Sequence, residues 1–99
     1  MDVRFGTDEL QRAAEDRKLR TKLWGDMVAK AYTKRIQQLQ AVRDLQELRQ
    51  LRSLRVHALQ GALRGKYGID LAAQWRLIVT FSGEGLTVVT VEEVSNHYE

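Results

Sequence analysis

The hydrophobic pattern of the chain changes character twice. Met1–Phe5 reads as a short first strand that ends at Gly6. Thr7 follows as an N-cap, and Asp8 and Glu9 stand where the helix dipole favours acids. Leu10, Ala13 and Ala14 give this helix its apolar face, continued less regularly by Leu19 and Leu23. Gly25-Asp26 restarts the pattern, and Val28, Tyr32, Ile36 and Leu39 then recur at steps of four, four and three. Ala31 fills the same face, while Lys30, Lys34, Gln37 and Gln38 lie off it, as one side of a buried helix requires. Asp44 followed by Glu47 has capping-box spacing and predicts a short third helix carrying Leu45, Leu48 and Leu51.

Beyond residue 54 the pattern becomes that of strands. Val56–Gln60, Tyr67–Leu71, Trp75–Phe81 and Leu86–Val94 are separated by glycines or by Ala-Ala-Gln. Trp75–Phe81 is the strongest, being aromatic and β-branched with partial alternation. Gly83 and Gly85 mark a tight hairpin leading into the last strand. The expected fold is α+β: a helical hairpin whose leucines cover one face of an antiparallel sheet of three or four strands. The first strand pairs somewhere on that sheet, and the other face is left open to a partner.

Composition narrows the class. Ninety-nine residues make one domain, spanning 1–99, with no repeat or linker. The absence of cysteine excludes a disulfide scaffold, a thiolate metal site and a cysteine nucleophile. With no signal-peptide pattern and no apolar run of roughly 18 residues, a cytoplasmic location without membrane contact is expected. The net charge of +3 is unevenly spread. Residues 49–76 carry Arg49, Arg52, Arg55, Arg64, Lys66 and Arg76 against Asp70 alone, whereas 77–99 carry four glutamates and no cation. A basic block in a weakly basic chain points to an anionic partner such as RNA, although a solvated surface gives the same count.

The residues suit one reaction class. Gly61-Ala62-Leu63-Arg64-Gly65 precedes a strand, so it lacks the helix N-terminus that cradles phosphate. Two histidines with no carboxylate at ligand spacing argue against a metal site, and no cofactor is implied. RNA, however, is cut without metal when a base activates the ribose 2′-hydroxyl, an acid protonates the leaving 5′-oxygen and fixed cations stabilise the phosphorane. His57 and His97 can exchange protons near neutrality, Arg64, Lys66 and Arg76 can supply charge, and Tyr98 can donate a proton or stack. Each has a simpler reading alone: His57 as a hydrogen-bonded strand residue, Arg76 as a loop cap, His97 and Tyr98 as a frayed end. Trp24, Trp75 and Tyr32 are better read as core than as base-stacking platforms. Only the order of these residues along the chain changes the balance.

That order is His57-Ala58-Leu59-Gln60-Gly61, then Arg64-Gly65-Lys66-Tyr67-Gly68-Ile69, then Trp75-Arg76-Leu77, then Asn96-His97-Tyr98. Together with Met1–Phe5 and the helical first half, it resembles the toxins of toxin–antitoxin modules in the RelE/ParE superfamily, most of all the HigB-like branch. The resemblance implies a RelE-like fold and a metal-independent mRNA endoribonuclease acting in the ribosomal A site, which leaves a 2′,3′-cyclic phosphate. It implies a cognate antitoxin, HigA-like with a helix-turn-helix domain, through which alone the toxin meets DNA. By position it assigns His57, Arg76, His97 and Tyr98 to catalysis. Arg55, Gln60, Arg64 and Lys66 are assigned to RNA binding. Two departures stand out: Gln60 occupies the place of a lysine, and the chain ends Asn-His-Tyr where an acidic residue followed by Tyr-His is usual. Neighbours on a strand face opposite sides, so the swap leaves open whether His97 or Tyr98 is the second proton-transfer group. The ParE-like gyrase inhibitors share the fold without the nuclease residues; such an inhibitor, or an inactive antitoxin-binding homologue acting only through protein contacts, forms the alternative.

Overall fold

The structure, a computed structural model, describes residues 1–96. It opens with β1 (Asp2–Phe5) and α1 (Asp8–Glu15), capped as expected by Thr7, whose Oγ1 accepts from the Leu10 amide at 3.2 Å. Asp16 ends α1 and caps the next helix through the Leu19 amide, a double role unmarked by any change in hydrophobic pattern. α2 (Arg17–Ala41) is broken at Gly25, with φ 81° and ψ 168°. Only glycine visits that region without strain, so the restart at Gly25-Asp26 is a true interruption of the helix.

The second part of α2 buries Val28, Tyr32, Ile36 and Leu39, the stripe expected from the sequence, together with Ala29. Tyr32 is wholly buried, its hydroxyl donates to the Leu10 carbonyl at 2.7 Å, and its ring packs on Trp24. That single side chain ties α2 to α1. α3 is one turn, Leu45–Leu48, capped by Asp44. The Glu47 carboxylate reaches back to the Arg43 amide, one residue before the usual capping-box partner. Leu51, expected on this helix, lies beyond its end and is exposed.

The sheet is built of β1, β2 (His57–Ala58), β3 (Tyr67–Asp70), β4 (Arg76–Ser82) and β5 (Val88–Ser95), in the order β1-β5-β4-β3-β2. All four strands expected after residue 54 take part and the first strand joins them, but β1 lies parallel to β5 while all other pairs are antiparallel. Ile69, Leu77, Val79, Val89 and Val91 form the sheet's share of the core, packed under the stripe of α2. Side chains alternate along strands, so the intervening residues point to the face away from the helices. On that face, one cross-strand row runs His57, Gly68, Ile78, Glu93, and the next runs Asp70, Arg76, Ser95.

A bulge sets the second half of β5. Ile78 pairs with Glu93 but Val79 with Val91, leaving Glu92 as the extra residue. Its carboxylate accepts from the Thr80 hydroxyl at 2.7 Å. The inward positions of β5 therefore step from Val89 and Val91 to Val94, and Ser95 comes opposite Arg76 on the open face.

Candidate active site

The edge of the sheet beyond β3 is shaped by two irregular turns. A 3₁₀ turn at Arg52–Leu54 ends on Arg55, which holds the left-handed conformation (φ 49°, ψ 52°). After β2, a second such turn at Gly61–Leu63 passes through Gly61 and Gly65, both at positive φ, before β3 begins. β2 is thus a two-residue strand between bends, which presents alternate residues Arg55, His57 and Leu59 along one side.

Arg55, His57, Leu59, Gln60 and Arg76 line a cleft of about 480 Å³ together with Val56 and Ala58. Four residues assigned from the sequence, His57 and Arg76 for catalysis and Arg55 and Gln60 for RNA binding, therefore meet at one place. Arg64 and Lys66 stand on the connection between β2 and β3 and do not line the cleft. His97 and Tyr98 lie outside the described residues; Ser95, two residues before His97, pairs with Arg76.

The His57 ring is fixed on two sides. Its Nδ1 lies 2.7 Å from the Arg55 carbonyl oxygen. A carbonyl only accepts, so Nδ1 carries the proton and Nε2 is left to exchange one. The ring crosses the neighbouring strand at Gly68, where a β-carbon would stand 2.9 Å from Cε1 and 3.0 Å from Nε2. Glycine inside a strand marks such close approaches, and this one makes the space for the imidazole.

Charge in the cleft is mostly positive. The Arg76 side chain has no hydrogen-bond or ion-pair partner among the described residues. Asp70 lies directly across from it on β3, yet its carboxylate pairs with Arg55 Nε at 3.6 Å. Behind the sheet, Arg35 of α2 donates from Nε to the Asp70 carbonyl at 2.7 Å, holding the end of β3 to the helix. Burial lowers the pKa of the Arg35 guanidinium and the Asp70 charge offsets part of that effect. Chemically, the cleft offers one proton-exchanging nitrogen, two guanidinium groups and an amide: a place for a phosphate ester flanked by a base or acid. Among the described residues, no three His, Asp or Glu side chains converge as metal ligands.

Two contributors went unassigned from the sequence. Asp70 was visible as the single acid of the basic block, but its partner depends on strand pairing. Gly68 was visible as a glycine within an apolar strand.

No family model and no curated protein matches the sequence. Solved structures share its fold. The YoeB/ParE toxin from Agrobacterium tumefaciens superposes with a TM-score of 0.61 at 15% identity, covering 99% of this chain and 100% of that one. YafQ from E. coli strain BL21(DE3) gives 0.58 at 18% identity over 94% of this chain and 89% of its own. A point mutant of E. coli YafQ gives 0.53 at 18% identity over the same shares. The α+β architecture, helices packed on a five-stranded sheet, is therefore that of these proteins. Among the described residues no helix is long and apolar enough to cross a membrane.

Proposed function

We propose that this chain is the toxin of a type II toxin–antitoxin module and acts as a metal-independent mRNA endoribonuclease. The observation that carries this reading is the convergence of His57, Arg55, Gln60 and Arg76 in one cleft, on a fold shared with a YoeB/ParE toxin. The ordered motifs favour the HigB-like branch, with a HigA-like antitoxin, a ribosome-bound message as substrate and the cytoplasm as location.

In this reading the RNA backbone lies along the cleft with the scissile phosphate at Arg76. The 2′-oxygen attacks phosphorus as its proton leaves, the bond to the 5′-oxygen breaks, and that oxygen takes up a proton. The products are a 2′,3′-cyclic phosphate and a 5′-hydroxyl. Nε2 of His57 serves one of the two proton transfers, and His97 or Tyr98 serves the other. Arg76 opposes the charge that builds on the phosphorane oxygens, where a desolvated guanidinium acts more strongly than in water. Arg55, Gln60, Arg64 and Lys66 hold the flanking backbone.

Induced expression without an antitoxin tests the reading. Growth should stop, and mapped 5′ ends should fall within coding regions. Arrest with intact messages and inhibited gyrase would replace it with the ParE-like alternative.

A further inference from the structure

Arg55 occupies a backbone conformation that favours glycine, and its side chain and carbonyl are both engaged. The left-handed turn directs the carbonyl to His57 Nδ1 at 2.7 Å. The guanidinium of the same residue meets the Asp70 carboxylate at 3.6 Å. Their side chains are 76% and 35% exposed, and an ion pair so solvated adds little to stability. Its effect must be sought in geometry.

Asp70 has a choice of partner. It stands in register opposite Arg76, close enough for cross-strand side chains to pair, yet its carboxylate is turned outward to the edge strand. The turn has two consequences. Arg76 is left without a counter-ion among the described residues, and Arg55 is tied down in the turn that presents its carbonyl to the imidazole. Among the described residues that carbonyl alone distinguishes the two ring nitrogens, since Gly68 offers only space.

We propose that Asp70 and Arg55 are a positioning pair, which sets the tautomer and aim of His57 while keeping Arg76 free for an anion. The catalytic consequence rests on the nuclease reading; the tautomer does not. Neither residue need touch the reacting atoms for this role, although Arg55 also faces the cleft. Replacing Asp70 by Asn removes the charge but keeps the shape, and replacing it by Glu keeps the charge. Arg55→Gly still permits the left-handed turn but removes the guanidinium that ties it to Asp70, so the carbonyl is no longer held against the ring.

The test is the ¹⁵N spectrum of the His57 ring in the full chain, assigned by comparison with His57→Gln and recorded in mildly alkaline buffer. Wild type should show Nδ1 protonated and Nε2 bare. Asp70→Asn and Arg55→Gly should both shift the ring toward a mixture of tautomers, and Asp70→Glu should restore part of the wild-type pattern. On RNA, Asp70→Asn should lower kcat by roughly tenfold or more with a smaller change in KM, in the range expected when an acid–base group loses its alignment. An unchanged ring spectrum in both Asp70→Asn and Arg55→Gly overturns the positioning pair, whatever the activity. A shifted spectrum with no RNA cleavage even by wild type would sustain the pair and remove the nuclease reading instead.

Discussion

The imidazole of His57 occupies the space that any side chain at Gly68 would need: a β-carbon there would lie 3.0 Å from Nε2. The two residues are cross-strand partners on β2 and β3, so the approach follows from the register itself.

Gly68→Ala should therefore separate activity from stability. The methyl group meets the far end of a half-exposed ring, which can swing away. Alanine also stabilises an ordinary extended position by about 0.4–1 kcal/mol through the unfolded chain. Thermal stability should stay close to wild type, while cleavage should fall at least tenfold as Nε2 leaves its place. Enzyme assay and melting curve on the same sample check this.

The salt dependence of RNA binding should report on the cations individually. Each phosphate contact with a single strand contributes about 0.7 to the slope of log affinity against log salt. Arg76→Ala, Arg64→Ala and Lys66→Ala should each flatten the slope by about that amount. Binding titrations over a salt series measure it, and unaltered slopes for Arg64 and Lys66 would assign those two to plain surface.

Much of the helical half was legible in the sequence because its determinants are local. Thr7 caps through an amide three residues on, and the Val28, Tyr32, Ile36, Leu39 stripe has the period of the helix that buries it. Strand existence was legible for the same reason, in Trp75–Phe81 above all. Strand partnership was not: nothing local in Asp2–Phe5 distinguishes a parallel neighbour from an antiparallel one, and β1 takes the parallel place beside β5. The site divides likewise. His57, Arg76, Arg55 and Gln60 could be assigned by motif order and residue chemistry. The ion pair of Asp70 with Arg55 depends on which strands adjoin, as does the cradle at Gly68. The bulge at Glu92 left a trace, the step of three from Val91 to Val94, where alternation demands two.

Tyr32 should govern part of the alkaline stability. Burial pushes its phenol well above the ordinary value of 10.0, against a smaller opposing effect of Arg20. Below the ordinary value both folded and unfolded chains keep the proton, and the stabilisation is fully present. As pH rises past about 10, the unfolded chain releases the proton and the folded chain does not, so stability falls by up to about 1.4 kcal/mol per pH unit. Tyr32→Phe should lose about 1 kcal/mol at neutral pH through the missing bond to the Leu10 carbonyl. Its alkaline decline should be shallower. Denaturant titrations across pH give both values.

The terminal pair can be separated by substitution. Tyrosine, with an ordinary pKa near ~10, is a poor base at neutral pH, which favours His97 as the second proton-transfer group. His97→Gln should cost roughly 10²–10⁴ in cleavage with stability unchanged. Tyr98→Phe, which keeps the ring, should cost less. The reverse order of effects in single-turnover assays would exchange the two roles.

The most direct test of the nuclease account is a message bearing one 2′-deoxynucleotide at a mapped cleavage position, presented on programmed ribosomes to the purified protein. The all-ribose message should be cut there to a 2′,3′-cyclic phosphate and a 5′-hydroxyl. The deoxy-substituted message should survive at that position, because the attacking oxygen is gone. Cleavage that persists at the deoxy position would contradict attack by the 2′-hydroxyl, and with it the roles assigned to His57 and Arg76.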